Sequence, residues 1–144
     1  MSAARDASLR EAEGVGGPST FIRCYQFFES WRKNRFELFV WLLKPLSTEI
    51  LLDVGGYPGF WASQPLLVRH VDTVNVHKVF WANPEGLPIR ALVGDGCALP
   101  MEDNCYDIGY SNSVIEHVGS WERQQQFATE IRRVAKRLWV QTRL

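Results

Sequence analysis

Long apolar runs are missing from this sequence. The longest candidate, Phe36 to Leu43, carries Glu37 and is far shorter than the roughly 20 residues a helix needs to cross a bilayer. Met1 to Pro18 has no apolar stretch of the kind that opens a signal peptide, so the expected location is cytoplasmic. Net charge is missing too. Sixteen Lys and Arg balance sixteen Asp and Glu, so nothing in the charge points to nucleic acid or an anionic membrane. Cysteine is scarce: Cys24, Cys97 and Cys105 are odd in number, widely spaced and without a CxxC pair. That excludes a disulfide framework and a cysteine zinc site, and leaves reduced thiols. His70 and His77 lack partners at metal-ligand spacing, so no metal is expected. No internal repeat is visible.

What remains is an ordinary globular composition, 46% hydrophobic and 22% charged, in 144 residues that suit one domain. Residues 1–19 read as a flexible tail, because Gly14, Gly16, Gly17 and Pro18 break regular structure and few apolar groups offset the entropy of ordering. A domain over 20–144 follows. Phe21, Tyr25, Phe28, Trp31, Phe39 and Leu42 recur at helical spacings, which predicts a leading helix over about 20–44, ended by Pro45.

From about residue 49 to the end, short apolar runs alternate with turn signals and form the expected core. Glu49 to Val54 is apolar on both faces, as a buried parallel strand would be. Thr73–Val76, Ile89–Val93, Tyr106–Ser111 and Leu138–Thr142 are four more strand candidates, with a helix over about Trp121 to Lys136 before the last. This alternation predicts an α/β fold: an open, doubly wound, mainly parallel sheet of about five strands with right-handed crossovers.

In such a sheet ligands bind at the carboxyl ends of the strands, beside the switch point. Four loops leave those ends. The first is Asp53-Val54-Gly55-Gly56-Tyr57-Pro58-Gly59, where glycine permits a sharp turn close to a ligand and Pro58 suits the first turn of a helix whose N–H groups face the site. It does not match G-x-G-x-x-G, because Tyr57 and Phe60 stand where the second and third glycines belong. The second loop carries Asn75, able to accept from one hydroxyl and donate to another, or simply to satisfy local backbone. Asp72 is an alternative carboxylate, but its place near the start of the strand puts it on the wrong side of the sheet. The third is Gly94 to Pro100, whose Asp95 suits either an exocyclic amine or an Asx turn. The fourth, Ser111 to His117, turns from strand to helix through small polar groups.

In this order, the glycine turn, Asn75, Gly94-Asp95-x-x-x-Leu99-Pro100 and Tyr106-Asp-Ile-x-x-Ser-Asn-Ser-Val-Ile-Glu-His-Val118 resemble class I S-adenosylmethionine-dependent methyltransferases of type 11. The resemblance runs from about Ile50 to the end, and Gly94 to Val118 is its most specific part. It implies a Rossmann-like methyltransferase fold and S-adenosyl-L-methionine as cofactor. By position, Asp53, Gly55, Gly56 and Gly59 would cradle the methionine part, Asn75 the ribose, Asp95 and Gly96 the adenine, and Asn112 would stand near the sulfonium. No residue is assigned as catalyst, and His117 is read as a packing or hydrogen-bonding residue.

Two departures from the family pattern carry expectations of their own. Pro58 holds Tyr57 in extended geometry, and its ring would either cover the cofactor or block it. The family's sheet normally has two further strands at its end, which this sequence lacks. Leu138, Trp139 and Val140 would then lie on a bare edge that invites a homodimer or a partner chain. Two functions remain open: methyl transfer to a small molecule, glycan or lipid-linked precursor, or a shortened non-catalytic relative acting as a cofactor-binding or interaction module.

Overall fold

A computed structural model of the chain describes residues 33–142. The tail expected over 1–19 and the first turns of the leading helix lie outside the described residues. Helix α1 occupies residues 33–43. Contacts divide the described residues into two units after Phe39, and in the first the rings of Phe36 and Phe39 lie 5.8 Å apart. The sheet belongs to the second unit, Val40–Leu144.

That sheet has five strands: β1 (Ile50–Val54), β2 (His70–Asn75), β3 (Ile89–Val93), β4 (Tyr106–Asn112) and β5 (Ala135–Gln141). Their order is β3-β2-β1-β4-β5 and every pair is parallel. The order reverses between β1 and β4, which makes this a doubly wound sheet, as the alternation of elements predicts. Two short elements and one long helix complete it: α2 (Pro58–Ala62), a single 3₁₀ turn at Ile115–His117, and α3 (Trp121–Val134).

Strand alternation sends neighbouring side chains of β1 to opposite faces. Leu52 and Val54 join Val74 and the α3 residues Phe127, Ile131 and Val134 in one core cluster. Burying each of those three α3 side chains contributes roughly 1.5–3 kcal/mol. Gly109 of β4 lies under the same helix, and a Cβ there would come within 2.9 Å of the Ala135 Cβ. Asp53 and Tyr110, paired in register, point the other way, where Trp61 of α2 meets the Tyr110 ring edge-on at 5.1 Å. Helices therefore cover both faces. α3 starts at Ser120, whose hydroxyl accepts from the Arg123 N–H.

Three boundaries differ from the sequence expectation by two residues or more. β2 begins at His70 instead of Thr73, because the polar side chain of Asp72 is neutralised inside the sheet by His70, Arg90 and Tyr106. α3 ends at Val134 instead of Lys136, and β5 opens at Ala135 instead of Leu138, with no loop between them. Among the described residues, no helix is long and apolar enough to cross a membrane.

Candidate functional site

The carboxyl ends of β1, β2, β3 and β4 bring four loops to one side of the sheet. The chain leaves β1 through Gly55 at φ +84°, a left-handed conformation that glycine adopts freely. A Cβ on Gly55 would lie 2.6 Å from Val114. Its N–H donates to the Val74 carbonyl at 2.8 Å, which ties the turn to β2. A Cβ on Gly56 would lie only 1.7 Å from Asp53 Oδ2, because the Asp53 side chain is tucked directly beneath the turn.

Asp53 is buried and receives the Trp61 indole N–H at 2.8 Å. Burial pushes its carboxyl up to about 7, against the opposing pull of the Trp61 bond. Tyr57 is extended at φ −113° and ψ 136°, the geometry Pro58 demands, and its exposed ring stands at the cleft rim. Pro58 opens α2 as expected, but that helix is five residues long, and Gly59 sits on it with nothing near its missing Cβ.

Asn75 ends β2 and donates its side-chain N–H to the Gly56 carbonyl at 2.7 Å. A carboxylate cannot make that bond, so the amide has a structural reason to stand here, and its Oδ1 remains an acceptor. Asp72 serves elsewhere. It accepts from Arg90 twice at 2.8 Å and from Tyr106 at 2.7 Å, and lies 2.5 Å from His70 Nε2. Burial alone would raise its pKa, but bonds from Arg90, Tyr106 and His70 outweigh it and hold the carboxyl below the usual range. With Arg69 and Ile50, this network borders a hollow of about 500 Å³ at the opposite, amino-terminal side of the sheet.

Beyond β3, the Gly94 N–H donates to the Asn75 carbonyl at 2.9 Å, so the second and third loops are joined as well. Asp95 makes the expected turn, accepting the Cys97 N–H at 2.9 Å. It also takes the Arg123 Nη2 on both oxygens, at 3.1 and 3.0 Å. The Cys97 N–H first, and Arg123 second, hold its carboxyl below the usual range. Downstream, Glu130 accepts the Leu99 N–H at 2.7 Å and Arg133 donates to the Leu99 and Met101 carbonyls, so α3 fixes the whole loop.

The fourth loop turns at Ser113, at φ +58°, a conformation uncommon for a residue with a Cβ. Its N–H donates to the Gln141 carbonyl at 2.7 Å. Asn112 ends β4 in register with Gln141 and accepts from the Ser113 hydroxyl at 3.3 Å.

Together these loops enclose a cleft of about 470 Å³. Of the residues expected there, Gly55, Asn75, Asp95 and Gly96 line it side by side. Asp53 and Gly56 support the turn from behind, and neither they nor Gly59 and Asn112 are among its lining. Sequence reasoning missed Arg123, which lines the cleft from α3, and Val114, which packs under Gly55. Neither carries a local signal, since each acts on a residue far away in the chain. His117 lines the cleft as well.

The profile of the methyltransferase domain matches residues 52–138. Two curated relatives, uncharacterised methyltransferases of Mycobacterium bovis, are each 38% identical over 95 residues, covering 60% of this chain. The match spans only 35% of each relative's length. Among solved structures, the YcgJ protein of Bacillus subtilis superposes with a TM-score of 0.63 at 19% identity, over 75% of this chain and 50% of that one. The PH0226 protein of Pyrococcus horikoshii gives 0.61 at 20% identity, over 78% and 57%. A SAM-dependent methyltransferase from Aquifex aeolicus gives 0.52 at 24% identity, over 64% and 53%. Fold and sequence agree: the chain belongs to the methyltransferase domain family, with the class I architecture.

Proposed function

We propose that the cleft binds S-adenosyl-L-methionine and that the protein transfers its methyl group to an acceptor such as a small molecule, a glycan or a lipid-linked precursor. One observation carries this reading: Gly55, Asn75, Asp95 and Gly96, from three successive loops, line one cleft beside the β1/β4 switch point. Its volume of about 470 Å³ falls in the range of small-molecule sites. The groups suit an adenosine-containing ligand: the Asn75 amide for a ribose diol, the Asp95 carboxylate for an exocyclic amine, and Val74, Val114 and Phe127 as apolar walls.

When bound, that cofactor supplies a methyl group on a sulfonium, which needs no acid catalyst to leave. The chain's own part is positioning. The turn at Gly55, Gly56 and Gly59, braced from below by Asp53, would receive the methionine part. Asn75 would hold the ribose, and Asn112, at the end of β4, would stand near the sulfonium. Holding donor and acceptor in line is worth far more than any single group here. Titration calorimetry with S-adenosylhomocysteine tests the reading. Micromolar binding that Asp95→Ala abolishes supports it, and no binding at millimolar ligand overturns it.

A second reading rests on β5. Among the described residues it pairs only with β4, and Leu138 and Val140 are exposed along it. An edge of this kind favours strand pairing with a second copy or another chain. A dimer by light scattering that a Val140→Lys substitution dissociates would support it, and a monomer at high concentration would remove it.

A further inference from the structure

The Asp95 carboxylate reaches the cleft already partly committed. Its Oδ1 accepts the Cys97 N–H at 2.9 Å and Arg123 Nη2 at 3.1 Å, while Oδ2 accepts the same Nη2 at 3.0 Å. A carboxylate oxygen has two acceptor positions. Oδ1 is therefore filled and Oδ2 keeps one. Arg123 itself is held in place. Its Nε donates to the Val118 carbonyl at 2.9 Å, its main-chain N–H to Ser120, and its carbonyl accepts from the Cys97 thiol at 3.3 Å. Gly119, at φ +115°, brings the chain across the Arg123 stem, where a Cβ would be 3.5 Å from Cδ. Both side chains are partly exposed, at 45% and 42%, so the pair is worth little as a surface salt bridge. An arginine so constrained, for so little stability, is explained by where it leaves Asp95.

We infer that Arg123 is a positioning residue that fixes Asp95 as a single-acceptor reader of a 6-amino purine and sets the cleft against a 6-oxo purine. This rests on the cofactor reading above and deepens it. With Oδ1 closed and the carboxylate plane pinned, one donor from the ligand fits at Oδ2. A base that presents a carbonyl there meets acceptor against acceptor. Without Arg123 only Cys97 restrains the carboxylate, which then has more freedom to turn, and the discrimination weakens.

The test compares S-adenosylhomocysteine with S-inosylhomocysteine by calorimetry on the full chain. Arg123→Gln keeps the stem without the charge, and circular dichroism and the melting temperature check its fold. The variant should bind the adenosyl ligand about tenfold more weakly, the loss expected for one charge-assisted bond. It should bind the inosyl ligand with unchanged or higher affinity, so that the preference shrinks. Arg123→Lys, which restores a cation without the second anchor to Val118, should recover part of that preference. Wild-type affinities and preference in Arg123→Gln would overturn the inference while leaving the cofactor reading intact. Equal weakening of both ligands would also overturn it, since that is what a purely structural role gives. Failure of the parent chain to bind S-adenosylhomocysteine at all would remove both.

Discussion

Trp61 donates its indole N–H to Asp53 Oδ2 at 2.8 Å, inside the fold and beneath the glycine turn that meets the cleft. The pair joins the first loop to α2, and places an acid where ionisation is costly.

That cost has a sign. Asp53 titrates near 3.8 in an unfolded chain and at about 7 here. Below pH 3.8 the group is protonated in both states, and the stability its protonated form contributes is fully present. As pH rises from there the unfolded chain ionises first, and the contribution is lost as pH passes through about 7. Asp53→Asn keeps an acceptor for Trp61 and carries no charge. It should stabilise the protein by about 3 kcal/mol at pH 8 and far less at pH 5. Urea unfolding of both proteins at the two pH values checks this, and a difference independent of pH contradicts it.

Gly56 and Gly59 belong to one motif but should respond oppositely to alanine. A Cβ on Gly56 lands 1.7 Å from the Asp53 carboxylate, whereas one on Gly59 meets nothing within 4 Å. Gly56→Ala should cost about 2–4 kcal/mol and weaken S-adenosylhomocysteine binding. Gly59→Ala, on a helix, should raise stability by about 0.5–1 kcal/mol. Melting curves and calorimetry on the two variants decide, and a damaging Gly59→Ala would mean that this glycine meets the ligand directly.

Replacing the amide by a carboxylate, Asn75→Asp, should harm this chain. The Asn75 N–H to the Gly56 carbonyl would become an acceptor facing an acceptor at 2.7 Å. We expect a loss of about 1–3 kcal/mol at neutral pH, less below pH 4 where the new acid can donate. Unfolding at both pH values tests the prediction, which fails if Asn75→Asp is neutral.

Asp72→Asn should leave the cleft untouched and damage the sheet. It removes charge from a buried group that three side chains surround. The expected loss is about 2–4 kcal/mol, with unchanged affinity for S-adenosylhomocysteine. A change in affinity would show that the hollow at the amino-terminal side communicates with the cleft.

The sheet was legible because its strands are short apolar runs between turn signals, and β3, Ile89–Val93, falls where its residues predict. The Tyr57 backbone followed from Pro58 by sterics alone. β2 was read short because Asp72 looks like a loop residue until Arg90 and Tyr106, 18 and 34 positions away, are brought to it. The α3–β5 boundary was blurred because Val134-Ala135-Lys136 suits either element. Four cleft residues could be placed in advance, since each lies at a strand end or within three residues past it. Arg123 could not: only the packing of α3, the connection from β4 to β5, sets it against Asp95, 28 residues earlier.

The direct passage from Val134 into Ala135 makes the last crossover a rigid gauge, with no slack to take up a change in chain length. An insertion in most connections of this sheet would be absorbed as a longer surface bend. One residue added here would instead flip every side chain of β5, turning Leu138 away from the face it shares with Gly109 and bringing Arg137 and Trp139 onto it. The phase of α3 and the phase of the edge strand are thus a single inherited setting, and evolution can lengthen this part of the molecule only in steps that return both to register.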